Sequence, residues 1–130
     1  MPAFFTFEIP LFSKHTGYLR AEVMAMETDT PGILLTEADG GDKMYRLTHR
    51  KSGLLITSGR WGLTGDVFGL LQVARDLAAA TDWTQDAKSI CTKEVGAFVR
   101  AVLASSSIDW ITAHESAALR HASDMTIAGA

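Results

Sequence analysis

LLITSGRWGLTGDVFGLL, residues 54–71, is where the chain changes its hydrophobic rhythm. The run LLIT closes a series of segments in which apolar and polar residues alternate. From Val67 onward the apolar positions are Val67, Leu70, Leu71, Ala74, Leu77, Ala78 and Thr81, the spacing of one helix face. Between the two patterns stand Gly59, Gly62 and Gly65, and then Asp66, a good helix N-cap. The stretch therefore marks a boundary between a strand half and a helix half.

The glycines raise the question of a phosphate loop. A dinucleotide fingerprint needs G-x-G-x-x-G, and a Walker loop needs a lysine after its last glycine. Here the spacing is G-x-x-G-x-x-G, and Asp66 follows. A carboxylate at that point already complements the helix dipole and repels an anion. The glycines are expected to turn a corner, with Trp61 and Leu63 folding back as a lid.

Residue usage supports the division. Eight of the eleven glycines and all three prolines precede residue 66, whereas fourteen of the eighteen alanines follow it. Glycine punctuates turns and alanine favours helices. Before the boundary, FFTFEIPLF, YLRAEVMAM, GILLTEA, KMYRLTHR and LLITS alternate with period two, separated by SKHTG, TDTPG, ADGGD and RKSG. Pro10 donates no ladder hydrogen bond, so the first strand is expected at an edge or a bulge. After the boundary come the helix from Val67 and a second from about Thr84. The second is expected to bury Ala87, Ile90, Cys91, Phe98, Val102 and Leu103, with Gly96 marking close packing. A third, shorter helix is expected from about Asp109. The expectation is a single α+β domain over 1–130. It has an antiparallel sheet of about five strands (about 4–58), covered on one face by about three helices (about 66–127).

Composition excludes several classes. Apolar residues make up 47% and charged residues 21%, an ordinary globular balance. The apolar N-terminus carries Glu8 and no basic leader, and no run has the ~18 apolar residues of a membrane helix. With Cys91 as the single cysteine, a reducing, cytoplasmic location without membrane contact is expected. The net charge of −3 is unevenly spread. Residues 43–65 hold Lys43, Arg46, Arg50, Lys51 and Arg60 and no acid, whereas the flanking segments are acidic.

That basic hairpin is the leading contact candidate. Alternation puts Arg46, Thr48 and Arg50 on one face, with Lys43 at the strand entrance and Lys51 in the turn. Arg60 and Trp61 follow in the next loop. Cations with an aromatic neighbour suit a phosphate backbone and an unstacked base. The same residues also suit a solvated sheet face paired across strands with Glu8 and Glu22.

Catalytic and metal motifs fail one by one. His114 and His121 lie two turns apart, and Ala118 stands where H-E-x-x-H needs its second histidine. Glu37, Asp39 and Asp42 cluster in a turn, but Thr48 falls where a calcium loop needs glutamate. No G-x-S-x-G occurs, and Cys91 falls on an apolar stripe. His15 and His49 have no carboxylate at a telling spacing. No catalytic residue, metal or cofactor is assigned. Trp61, Trp83 and Trp110 sit at element boundaries, where capping a core with the indole N–H on a carbonyl is favoured over anchoring a partner.

The resulting expectation is a small non-enzymatic intracellular binding or inhibitory module contacting a protein partner. Its surface would be Lys43, Arg46, Thr48, Arg50, Lys51, Arg60 and Trp61. Single-stranded or structured nucleic acid through the same face is the alternative, and a small-molecule enzyme with a pocket between sheet and helices is the third reading. Self-association through an edge strand stays open.

Overall fold

The computed structural model describes residues 4–13, 17–37, 43–57 and 61–111. The expected turn at 38–42, His15, Gly59, Arg60 and the expected C-terminal helix with His114 and His121 lie outside the described residues.

The fold is α+β. Four antiparallel strands, β1 (Phe5–Ser13), β2 (Gly17–Glu27), β3 (Ile33–Glu37) and β4 (Tyr45–His49), form a meander in sequence order. Among the described residues three helices follow: α1 (Val67–Asp76), α2 (Ala87–Ile90) and α3 (Lys93–Ser105), with a 3-10 turn at Leu77–Ala79 after α1.

The expected fifth strand, LLITS, does not form a full ladder. Segment 54–57 does lie beside β4: His49 N–H donates to the Leu54 carbonyl (2.8 Å), and Ile56 N–H donates to Leu47 (2.9 Å). It makes one bridge there, Thr48 with Leu55, before the chain leaves the sheet. It returns as Thr64, whose N–H and C=O exchange hydrogen bonds with Tyr45 (3.0 and 2.8 Å). Leu63 in turn pairs with Ile111. The edge is thus assembled from two short pieces, and among the described residues the sheet has four strands.

Register explains a second departure. Pairings run Phe5–Ala25, Ala25–Thr36 and Thr36–Arg46, so these residues share one face. Phe7, Val23, Leu34 and Thr48 share it by the same alternation. The apolar row of the β1–β2 hairpin therefore lies on the face that carries Arg46 and Thr48. Glu8 and Glu22 fall on the opposite face, so the expected cross-strand pairing with the basic row does not match the register. The expected wet face is instead a second buried layer. Ala25, Leu34, Thr36 and Thr48 are buried there, and Arg46 is only 5% exposed. The Thr36 and Thr48 hydroxyls bond each other at 2.7 Å, which lets two polar side chains sit inside.

The main core is on the other face. Met26, Ile33, Leu35 and Leu47 form one cluster with Leu70, Val73, Ala74, Leu77, Trp83, Ile90, Val95, Leu103 and Ile108. The stripe beginning at Val67 supplies this packing, and α1 rests on β3 and β4. Asp66 caps α1 as expected, accepting the Gly69 N–H at 2.9 Å. Thr30 ties the β2–β3 turn to the helix by donating to the Ala74 carbonyl at 2.7 Å.

The second expected helix breaks in two. Asp86 caps α2, which ends after one turn, and Thr92 opens α3 by accepting the Val95 N–H at 3.2 Å. Cys91 lies at the break and is exposed, and Phe98 is likewise exposed, so neither is the core residue expected. Val95 takes the buried place. Asp109 to Ile111 are not helical.

Gly32 is the tightest backbone position. Its φ is +94°, and a Cβ there would run into the Trp83 carbonyl group. Gly32→Ala is expected to destabilise the protein by about 3 kcal/mol, combining left-handed strain with a backbone clash. Urea unfolding of the two proteins side by side measures this.

Candidate functional site

His49, at the end of β4, is fully buried. Its Nε2 lies 2.9 Å from the Trp83 carbonyl oxygen, which only accepts, so Nε2 carries the proton. Its Nδ1 lies 2.7 Å from Ser52 Oγ, and that oxygen accepts the Leu54 N–H at 3.2 Å. A hydrogen-bonded chain thus runs from Leu54 N–H through Ser52 and His49 to Trp83. It joins the edge segment to the loop before α2. Both ring nitrogens are engaged, so His49 serves as a structural tie.

The loop carrying Trp83 is fixed at several points. The Trp83 indole N–H donates to the Leu77 carbonyl at 2.9 Å, and the ring is buried. This is the core role expected of boundary tryptophans. Asp82 accepts from the Thr84 hydroxyl at 2.6 Å and from its backbone N–H at 3.0 Å. Those bonds, the hydroxyl's first, hold its carboxyl below the usual 3.8. The Ser89 backbone N–H does the same for Asp86.

Beside this tie lies a cleft of about 310 Å³, close to the ~300 Å³ lower end of ligand pockets. One wall is the edge segment Leu54, Leu55 and Ile56, and Leu54 is 47% exposed. Trp61, Trp83 and Ile90 line it further, with His49 among them. The opposite wall is the i, i+3, i+4 face of α3, where Val95, Gly96, Val99, Arg100 and Leu103 recur, preceded by Cys91 and Thr92. The lining is mostly apolar, with one guanidinium. A Cβ at Gly96 would sit 3.3 Å from Arg100 Nη1, so the missing side chain gives the guanidinium its place.

The basic hairpin does not form one surface. Lys43 (φ +57°), Arg50 and Lys51 are exposed, while Arg46 and Thr48 are inside the second layer. Arg50 is engaged twice, by Glu27 at 2.7 Å and by the Phe7 ring, 5.2 Å from its centroid. Trp61 packs against the main core and lines the cleft. Of the seven expected contact residues, Trp61 alone among those described reaches the cleft.

Sequence reasoning missed Leu54, Ile56, Val99 and Arg100 as site residues. Gly96, expected to mark close packing, was the one residue of that wall singled out beforehand besides the apolar stripe. Among the described residues no group of three or more His, Cys, Asp or Glu is arranged to hold a metal ion. Nor is any helix among them long and apolar enough to cross a membrane. Comparison with protein-family models, with curated proteins and with solved structures gave no match.

Because both Asp82 and Asp86 have depressed folded values, each contributes stability above the unfolded carboxylate range. That contribution is lost as pH falls through the folded values. Carboxyl carbon NMR titration is expected to give midpoints below 3.8 for both, and stability is expected to drop below that pH.

Proposed function

We propose that the chain is a small non-enzymatic binding module for a protein partner and that its contact site is the cleft between segment 54–56 and α3. The supporting observation is the lining itself. It is apolar on both walls, its one histidine is committed to structural bonds, and Leu54 stands exposed at its rim. Such a site suits an apolar side chain presented by another protein. A cytoplasmic setting accords with the exposed free thiol of Cys91 beside the cleft.

Nucleic-acid binding through the hairpin draws less support, since Arg46 and Thr48 are buried and Arg50 is paired with Glu27. The small-molecule enzyme reading has the cleft in its favour but no acid–base pair within it.

The test compares three immobilised proteins against an extract of the source cell, with retained proteins quantified by mass spectrometry. They are the natural chain, Leu54→Asp, and a triple variant with Lys43, Arg50 and Lys51 changed to alanine. A partner is expected on the natural chain and the triple variant and to be lost from Leu54→Asp. Retention that disappears in the triple variant and persists in Leu54→Asp would move the contact to the basic hairpin. Salt-sensitive retention of nucleic acid would replace the protein reading.

A further inference from the structure

Resting on the cleft as a partner site, we propose that its occupant is an extended peptide segment of the partner. The segment adds to the edge at Leu55 and places a carboxylate, next to an apolar residue, against Arg100.

Leu54 uses its carbonyl and Ile56 its N–H toward β4, so the Leu55 N–H and C=O point to the other side. Among the described residues those two groups have no hydrogen-bond partner. An outward N–H and C=O beside an apolar cleft is the arrangement to which peptide strands add. Main-chain bonds then give affinity, and pockets for alternate side chains give selectivity.

Arg100 lines the cleft and is exposed, and no described carboxylate forms an ion pair with it. Its guanidinium sits over Gly96, where any side chain would press on it. A guanidinium offers parallel donors that match a carboxylate fork, and this cation stands among Val95, Val99 and Leu103. An acid flanked by apolar residues meets both features. A purely apolar segment leaves the cation unmatched, and a polyphosphate leaves the apolar walls unmatched.

The test is selection of N-acetylated, C-amidated hexapeptides from a fully randomised pool on the natural chain, on Arg100→Ala and on Arg100→Lys. Melting curves verify that each variant folds. A random single-stranded DNA pool is run in parallel. Peptides enriched on the natural chain are expected to carry Asp or Glu beside Leu, Ile, Phe or Trp. Replacing that acid by its amide, or methylating the peptide's backbone nitrogen beside it, is expected to weaken binding about tenfold. Arg100→Ala is expected to keep the apolar preference and lose the acidic one, and Arg100→Lys to keep part of it. Enriched peptides without acids, the same acids on Arg100→Ala, or indifference to the amide change and to methylation would overturn this inference and leave the cleft reading standing. No peptide enrichment on the natural chain, or enrichment of DNA alone, would overturn the partner reading itself.

Discussion

The hydrogen bond from buried His49 to the Trp83 carbonyl is the constraint on which the site depends. It joins the last strand to the loop that leads into α2. The same carbonyl group presses on Gly32, where only glycine fits, so the β2–β3 turn is locked against that loop as well. Through Ser52 the tie extends to Leu54, one wall of the cleft. Through the indole N–H of Trp83 it extends to the end of α1 at Leu77. A polar network inside a low-dielectric core rigidifies when each member is satisfied, and here every group in the chain has a partner. These bonds hold the Leu54 wall of the cleft in place, which would lower the ordering cost of the binding proposed above.

Much of the fold was legible in the residues. The alternation of Phe5 and Phe7 with Thr6 and Glu8 gave a strand, and the stripe from Val67 with Asp66 before it gave a capped helix. What misled were residues whose chemistry serves two environments. Thr48 read as an outward polar position, yet its hydroxyl and that of Thr36 satisfy each other in the interior. Leu54 to Thr57 read as a strand by composition, but among the described residues it makes one bridge to β4, with two backbone hydrogen bonds and a third from Leu47 N–H to the Thr57 hydroxyl. Thr92 sat inside a helical pattern and acts instead as the N-cap that divides it.

The site was far less legible, because its walls come from segments more than thirty residues apart. Leu54 and Ile56 meet Val95, Val99 and Arg100 only after α1 and the Trp83 loop have crossed the core. No local spacing carries that information. The charge run at residues 43–60, by contrast, was conspicuous in sequence and is divided in space. Arg46 lies in the buried layer, and Arg50 lies over Phe7 and against Glu27. Gly96 was the one local clue. A glycine in a helix interior costs about 1 kcal/mol against alanine, and here it makes room for the Arg100 guanidinium.

Amide hydrogen exchange, followed residue by residue by NMR on the unliganded protein, tests most directly whether segment 54–56 is held as an edge with Leu55 turned toward the cleft. Ile56, bonded to Leu47, and Leu63, bonded to Ile111, are predicted to be protected, while Leu55, the residue before Ile56, exchanges fast. A Leu55 amide as protected as Ile56, or uniform rapid exchange from Leu54 to Thr57, would contradict it.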